Sequence, residues 1–319
     1  MTMHNSARAR KQLVLFLLFS FAVVTGLLAL SRVDIDIASF AKPAAFFVMI
    51  YLIGVFARYR KAVLIDEICK TLSLGFLLTL LVLPVTYIAL SFEMPLADRE
   101  LAAMDRALGF DWHALIGWVD GSPVIANALA LAYSSFAFQI ILVPILLIAT
   151  NQSARATAFV AGYGLVCFIA SAVSIWWPAL GTFTVYGVQQ SDLSNINAFF
   201  GFAFLNDFVA LRAGGQFILV MGKAAGILTF PSVHAAMAFL LIWAAWSIPY
   251  LRYPFVMVNL AMALSAVTHA NHYLVDVVAG AGIAGLVSAI VSIWLLDTRP
   301  VLVPLRRLRP VPSPAGSSG

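Results

Sequence analysis

Long, unbroken apolar runs decide what this chain can fold into. Of its 319 residues, 62% are hydrophobic and 10% charged, against roughly 25% charged in a soluble domain. Mean hydropathy is +0.98. No soluble fold can hide that much apolar surface, so lipid must be the solvent for most of it. In hydrocarbon every backbone polar group needs a partner inside the protein, which leaves helices or closed barrels. A barrel would show short alternating segments, whereas these runs are continuous. The expected fold is all-α, a polytopic transmembrane helical bundle of about eight spans.

The runs predict spans over residues 13–30, 43–57, 68–92, 124–148, 156–178, 230–247, 255–269 and 273–296. The first could be a signal peptide, but it lacks a small-residue cleavage site and is long enough to cross, so it reads as an uncleaved span. Between the spans, Leu101, Met104, Leu108 and Trp112 recur at helical spacing among charges, which predicts an amphipathic helix lying at the interface. The longest polar-leaning loop runs over 179–228. The expected organisation is N-terminal spans over 1–92, an extracytoplasmic amphipathic segment over 93–122, a catalytic core over 123–298, and a basic, then Pro-, Ser- and Gly-rich tail over 299–319 that is expected to be disordered.

Eight spans put both termini on one side, and charge selects which. A cytoplasmic N-terminus leaves only Arg32, Lys42, Arg99, Arg106, Arg212 and Lys223 of the 19 Lys and Arg outside, as the positive-inside rule requires. The long loops then face the exterior. The expected location is a bacterial inner membrane, with the chemistry facing the periplasm. A net charge of +5 raises the question of nucleic acid, but the basic residues are scattered through loops and fit anionic headgroups better. The membrane is therefore the expected partner, and nucleic acid is not. Cys69 and Cys167 lie in apolar runs and read as small buried hydrophobes, not as a disulfide or a zinc site.

Two stretches carry potential chemistry. His272 and Asp276 stand four apart, in reach of each other on one helix face, and an ionisable pair inside a span is functional by default. A carboxylate on one imidazole nitrogen fixes the tautomer and raises the basicity of the other, the state a histidine nucleophile needs. A structural pair or a pair of metal ligands are the alternatives. In the other stretch, Pro231 suits a first helical turn, and Ser232 offers a hydroxyl and a backbone N–H beside a helix start that favours anions. His234 in that turn could give a proton to a leaving oxygen. Alone, Pro231 and Ser232 would read as a plain helix start. Under the topology above, both stretches open at the same membrane face.

Pro231-Ser232-Val233-His234 resembles the second signature, P-S-G-H, of the type 2 phosphatidic acid phosphatase (PAP2) superfamily. Ser265, His272 and Asp276 match the third, S-R, five residues, H, three residues and D. The resemblance covers roughly residues 120–296 and implies a core of roughly six helices. It implies that His272 attacks phosphorus to form a phosphohistidine, Asp276 orients it, His234 protonates the departing oxygen and Ser232 holds a phosphate oxygen. No metal and no cofactor enters that scheme. The substrates implied are phospholipids or isoprenoid or sphingoid phosphates.

The chain departs from the pattern at Val233, where the family has Gly, and at Ala266, where it has Arg. The first signature, K-x6-R-P, is absent. F-P-S-x-H with H-Y-x-x-D looks more like the branch holding the fungal inositol phosphorylceramide synthases. Arg212 and Lys223 are the candidates for balancing phosphate charge; their other reading is interfacial anchors. His269, three residues before His272, is a candidate donor or acceptor contact, or a plain interfacial histidine. His113 beside Trp112 reads as an interface residue, as do Trp176 and Trp177. Asn195, Asn197 and Asp207 could shape an acceptor site.

Transfer to water would make a lipid phosphatase, and transfer to a lipid or polyol alcohol a phosphotransferase, with the same residues. A transporter or flippase is the third reading, though no half-repeat is visible and the one intramembrane acid lies near a span's end. A metal hydrolase built on His234, His269, His272 and Asp276 is a fourth.

Overall fold

The computed structural model describes residues 3–296. The tail expected at 299–319, with Arg299, Arg306, Arg307 and Arg309, lies outside them. Apolar runs become α1 (Met3–Leu30), α2 (Ile37–Tyr59), α3 (Val63–Leu90), α6 (Pro123–Ala149), α7 (Ser153–Ser174), α12 (Arg252–His269) and α13 (Leu274–Leu296). These seven, α12 with the 3-10 turn before it, are long and apolar enough to cross a membrane. The eighth apolar helix, α11 (Val233–Ala245), has only 13 residues. Shorter helices α4 (Asp98–Ala107), α5 (Trp112–Asp120), α8 (Thr182–Tyr186), α9 (Phe199–Phe202) and α10 (Leu205–Arg212) fill the connections. The protein is a helical bundle and an integral membrane protein.

Helix starts follow local chemistry. Asp36, Asp111, Ser122 and Ser232 are N-caps of α2, α5, α6 and α11, each accepting a backbone N–H two or three residues on. Such caps satisfy donors that the first turn leaves without partners.

Helix α11 is about 20 Å long, well short of a ~30 Å hydrocarbon layer. It solves this by sitting inside the protein. Ala235, Ala236, Met237, Ala238, Leu240, Leu241 and Ala244 are all buried in the main core, together with residues of α6, α7, α12 and α13. Arg155, near the start of α7, reaches its C-terminal end. The guanidinium donates to the carbonyls of Trp243 and Ala244 and lies 4.4 Å from the Trp243 ring. A cation at the negative end of a helix supplies the partners the missing turn would have given. Small residues let the neighbours close in. A Cβ on Gly280 of α13 would stand 2.5 Å from the Ser232 carbonyl oxygen and 3.0 Å from the Ala236 nitrogen. The start of α11 therefore rests directly on α13.

The segment read as one amphipathic helix forms two, α4 and α5. Leu101 is buried, but Met104 and Leu108 are exposed, and the chain breaks before Trp112, where Gly109 has φ +74°. The buried face of α4 is Asp98, Leu101, Ala102 and Asp105. Asp105 accepts the N–H groups of Leu274 (2.8 Å) and Val275 (2.9 Å), the first of α13. Asp98 accepts the N–H groups of Leu180 (2.9 Å) and Gly181 (2.8 Å) and the Tyr273 hydroxyl (2.9 Å). Carboxylates bonded this way can be buried because their lone pairs are filled. Leu101 thus faces the protein as its spacing implied, with the two acids buried on either side of it.

The long 179–228 connection is ordered by polar ties. Strand β1 (Val33–Ile35) pairs in parallel with β2 (Phe217–Leu219), Val33 opposite Phe217. Tyr87 of α3 donates its hydroxyl to Asp207 (2.9 Å) and accepts the Ala225 N–H (3.0 Å). Asn271, between α12 and α13, has φ +70°, a left-handed conformation that Asn tolerates better than most residues. Its side chain accepts the Phe183 N–H (2.5 Å) and donates to the carbonyls of Leu180 (2.6 Å) and Gly201 (3.1 Å). The loop is thereby pinned over the start of α13.

Gly280→Ala should lower the melting midpoint of the detergent-solubilised protein, because the colliding atoms are backbone and overpacking costs about 1–3 kcal/mol. Gly282→Ala, with nothing within 4 Å of its added Cβ, should leave the midpoint unchanged. Asp105→Ala, which strips two N–H partners from α13, should cost about 1–3 kcal/mol in the same melt. A wild-type midpoint for Asp105→Ala would show that α4 does not brace α13.

Candidate functional site

The site forms where the start of α11 meets the turn joining α12 to α13. His272 lies in that turn, two residues ahead of α13, so it and Asp276 do not share a helix as their spacing implied. They meet nonetheless. Asp276, fully buried in the first turn of α13, brings Oδ2 to 3.1 Å from His272 Nδ1. The same oxygen accepts the Tyr273 N–H at 2.9 Å. The His272 backbone N–H donates to the Ala266 carbonyl (3.3 Å), which also accepts the Ala270 N–H. His272 is 4% exposed, and burial holds its pKa down to about 4, against the opposing pull of the Thr229 carbonyl. Its ring is therefore neutral at pH 7, with Nδ1 committed to the carboxylate.

The other half is the start of α11. The Ser232 N–H donates to the backbone carbonyl of Asp276 (3.1 Å), so that N–H is not open to a ligand as the sequence reading supposed. Ser232 Oγ accepts the Ala235 N–H at 3.3 Å and keeps its own proton to donate. The N–H groups of Val233 and His234 precede any intrahelical acceptor. His234 lies within electrostatic reach of His272. Its ring stacks on Tyr133 of α6, with centroids 4.3 Å apart and planes 18° apart, and Phe136 meets it edge-on at 4.9 Å. The Tyr133 hydroxyl is 3.3 Å from His234 Nδ1.

His234, Ser232, His272 and Asp276 thus come together. Arg212 does not join them: its guanidinium donates to the Met94 carbonyl (2.7 Å) and packs on the Phe208 ring. Lys223 is exposed in a short 3-10 turn. His269 closes α12 and so shares no helix face with His272. Its Nδ1 is 2.8 Å from Thr268 Oγ1, and its buried Nε2 has no hydrogen-bond partner. His113 is exposed beside Trp112 and Tyr186. Asn195 donates to the Asp120 carbonyl of α5, Asn197 accepts the Phe199 N–H and Asp207 holds Tyr87 of α3, ties that order the connection. Trp177 packs on Phe230, while Trp176 is exposed. Cys69 and Cys167 are both free. Among the described residues, no group of three or more His, Cys, Asp or Glu side chains could hold a metal ion.

Four further residues shape the site without having been singled out by motif. Asp98 and Asp105 stand seven apart with Leu101 and Ala102 between them, the spacing of one helix face. Two acids on that face were the available signal. Asn271 sits inside the H-A-N-H stretch. Tyr133 lies in a continuous apolar run, and nothing in its spacing marks it.

A family model described as the PAP2 superfamily matches residues 99–290. That range includes most of α4, both motif stretches and α6, which carries Tyr133. No curated protein and no solved structure matches the chain. The matched range takes in more than half of the chain and every residue that meets at the start of α11, so the chain belongs to the PAP2 superfamily.

Proposed function

We propose that this protein is a membrane lipid phosphate phosphatase or phosphotransferase working through a phosphohistidine. The observation that carries the reading is the Asp276–His272 pair facing the N-terminus of α11 with His234 in its first turn. Asp276 holds the proton on Nδ1 and leaves Nε2 of His272 as the nucleophile. As the Nε2–phosphorus bond forms, the bond to the leaving oxygen breaks and that oxygen takes a proton from His234. Water or an alcohol then attacks phosphorus, gives its proton to His234, and returns the electron pair to His272. Phosphoryl transfer depends chiefly on positioning and electrostatics. The Ser232 hydroxyl and the N–H groups at the start of α11 are the donors best placed for phosphate oxygens. Arg212, held by the Met94 carbonyl, and Lys223, exposed in its turn, have the weaker claim.

The substrate class is a phospholipid or an isoprenoid or sphingoid phosphate presented from the bilayer. By the positive-inside bias the site faces outward, the periplasm if the membrane is a bacterial inner one. Transfer of a phosphate headgroup to a lipid or polyol alcohol is the second reading. Val233, Ala266 and the F-P-S-x-H and H-Y-x-x-D pattern favour it by resemblance to the inositol phosphorylceramide synthase branch.

Incubating purified protein with a phospholipid panel, with and without an alcohol acceptor, separates phosphate release from transfer by product mass. His272→Ala should lower turnover by about 10³-fold or more while the protein still fractionates with membranes. Asp276→Asn should leave a remnant, down about 10²–10⁴-fold, because tautomer control is lost and the nucleophile is not. Normal turnover in His272→Ala would end the phosphohistidine reading.

A further inference from the structure

We infer that Tyr133 is a positioning residue for the proton donor, doing for His234 what Asp276 does for His272. The inference rests on the phosphohistidine reading above. His234 is held on two sides by α6: the Tyr133 ring stacks on it at 4.3 Å and Phe136, three residues on, meets it edge-on at 4.9 Å. Phe200, from α9 in the long connection, packs against Tyr133 at 5.1 Å. Tyr133 is 7% exposed. The imidazole therefore cannot turn freely, and the nitrogen facing the phenol is Nδ1, 3.3 Å from the hydroxyl oxygen.

That contact decides which nitrogen exchanges protons. With Nδ1–H donating to the Tyr133 oxygen, one proton stays on Nδ1 throughout the cycle. The proton given to the leaving oxygen comes from Nε2, and the one taken from the attacking water or alcohol returns to Nε2. A phenol suits this position for two reasons. It accepts without carrying charge, so it adds no further anion to the buried Asp98, Asp105 and Asp276. Its ring face also favours an imidazolium stacked on it.

The test compares two phosphate monoesters with the same hydrocarbon tail, one with an alkyl and one with a nitrophenyl leaving group. A nitrophenolate departs without a proton, so only the alkyl ester needs the acid. Tyr133→Phe keeps the ring and removes the oxygen. On the alkyl ester its kcat should fall about tenfold, the loss expected for one aligned hydrogen bond. On the nitrophenyl ester the loss should be several-fold smaller. In a His234→Ala background the same change should cost the alkyl ester nothing further. Equal losses on both esters, no loss on the alkyl ester, or a full tenfold loss without His234 would each overturn the inference. A wild-type rate in His272→Ala, with Tyr133 untouched, would instead remove the reading on which it rests.

Discussion

Asp276 is the residue through which the two halves of the site are joined. Its carboxylate takes His272 and the Tyr273 N–H, and its backbone carbonyl takes the Ser232 N–H. One residue thus fixes the ring of the candidate nucleophile and the entry of the helix that carries His234. Both of the carboxylate's bonds fall on Oδ2, and its buried Oδ1 has no hydrogen-bond partner. Neighbouring residues hold the two halves together. Gly280 lets α11 lie against α13. Asp105 caps α13 from α4. Asp98 and Asn271 hold the outer connection down on the same turn.

The short helix α11 gives the site its depth. A full-length span would carry its first turn toward the membrane surface, whereas 13 residues place the start of α11 among neighbouring helices. The N–H groups there keep their pull on an anion because little water competes with them. At the opposite end Arg155, whose charge and stem reach in from the start of α7, donates to two of the last carbonyls.

The two imidazoles are held by different means. His272 has a carboxylate and sits in a turn, while His234 has a phenol and a stacked aromatic wall on a helix. A nucleophile gains from a charged partner that raises its basicity, and a proton donor gains from a neutral one that orients it without draining its acidity. The asymmetry of the site matches the asymmetry of the roles proposed for it.

The sequence by itself determined the solvent of the chain, the run of apolar helices and the two stretches that meet. Apolar length and four-residue spacings are local properties, and hydrocarbon leaves the backbone little choice. It also singled out His234, His272 and Asp276, which the fold brings together. Only the tertiary structure decided which faces of the shorter helices turn inward. The hydrophobic pattern of α4 pointed to lipid, yet Asp98 and Asp105 are buried because their partners come from residues 180–181 and 273–275. No local signal records a partner that distant in sequence. The same holds for Tyr133, one aromatic among many in an apolar run, and for Arg212, whose guanidinium meets the Met94 carbonyl from far along the chain. Composition and period fix what each segment can be, and the choice of partner for a polar group belongs to the packed structure.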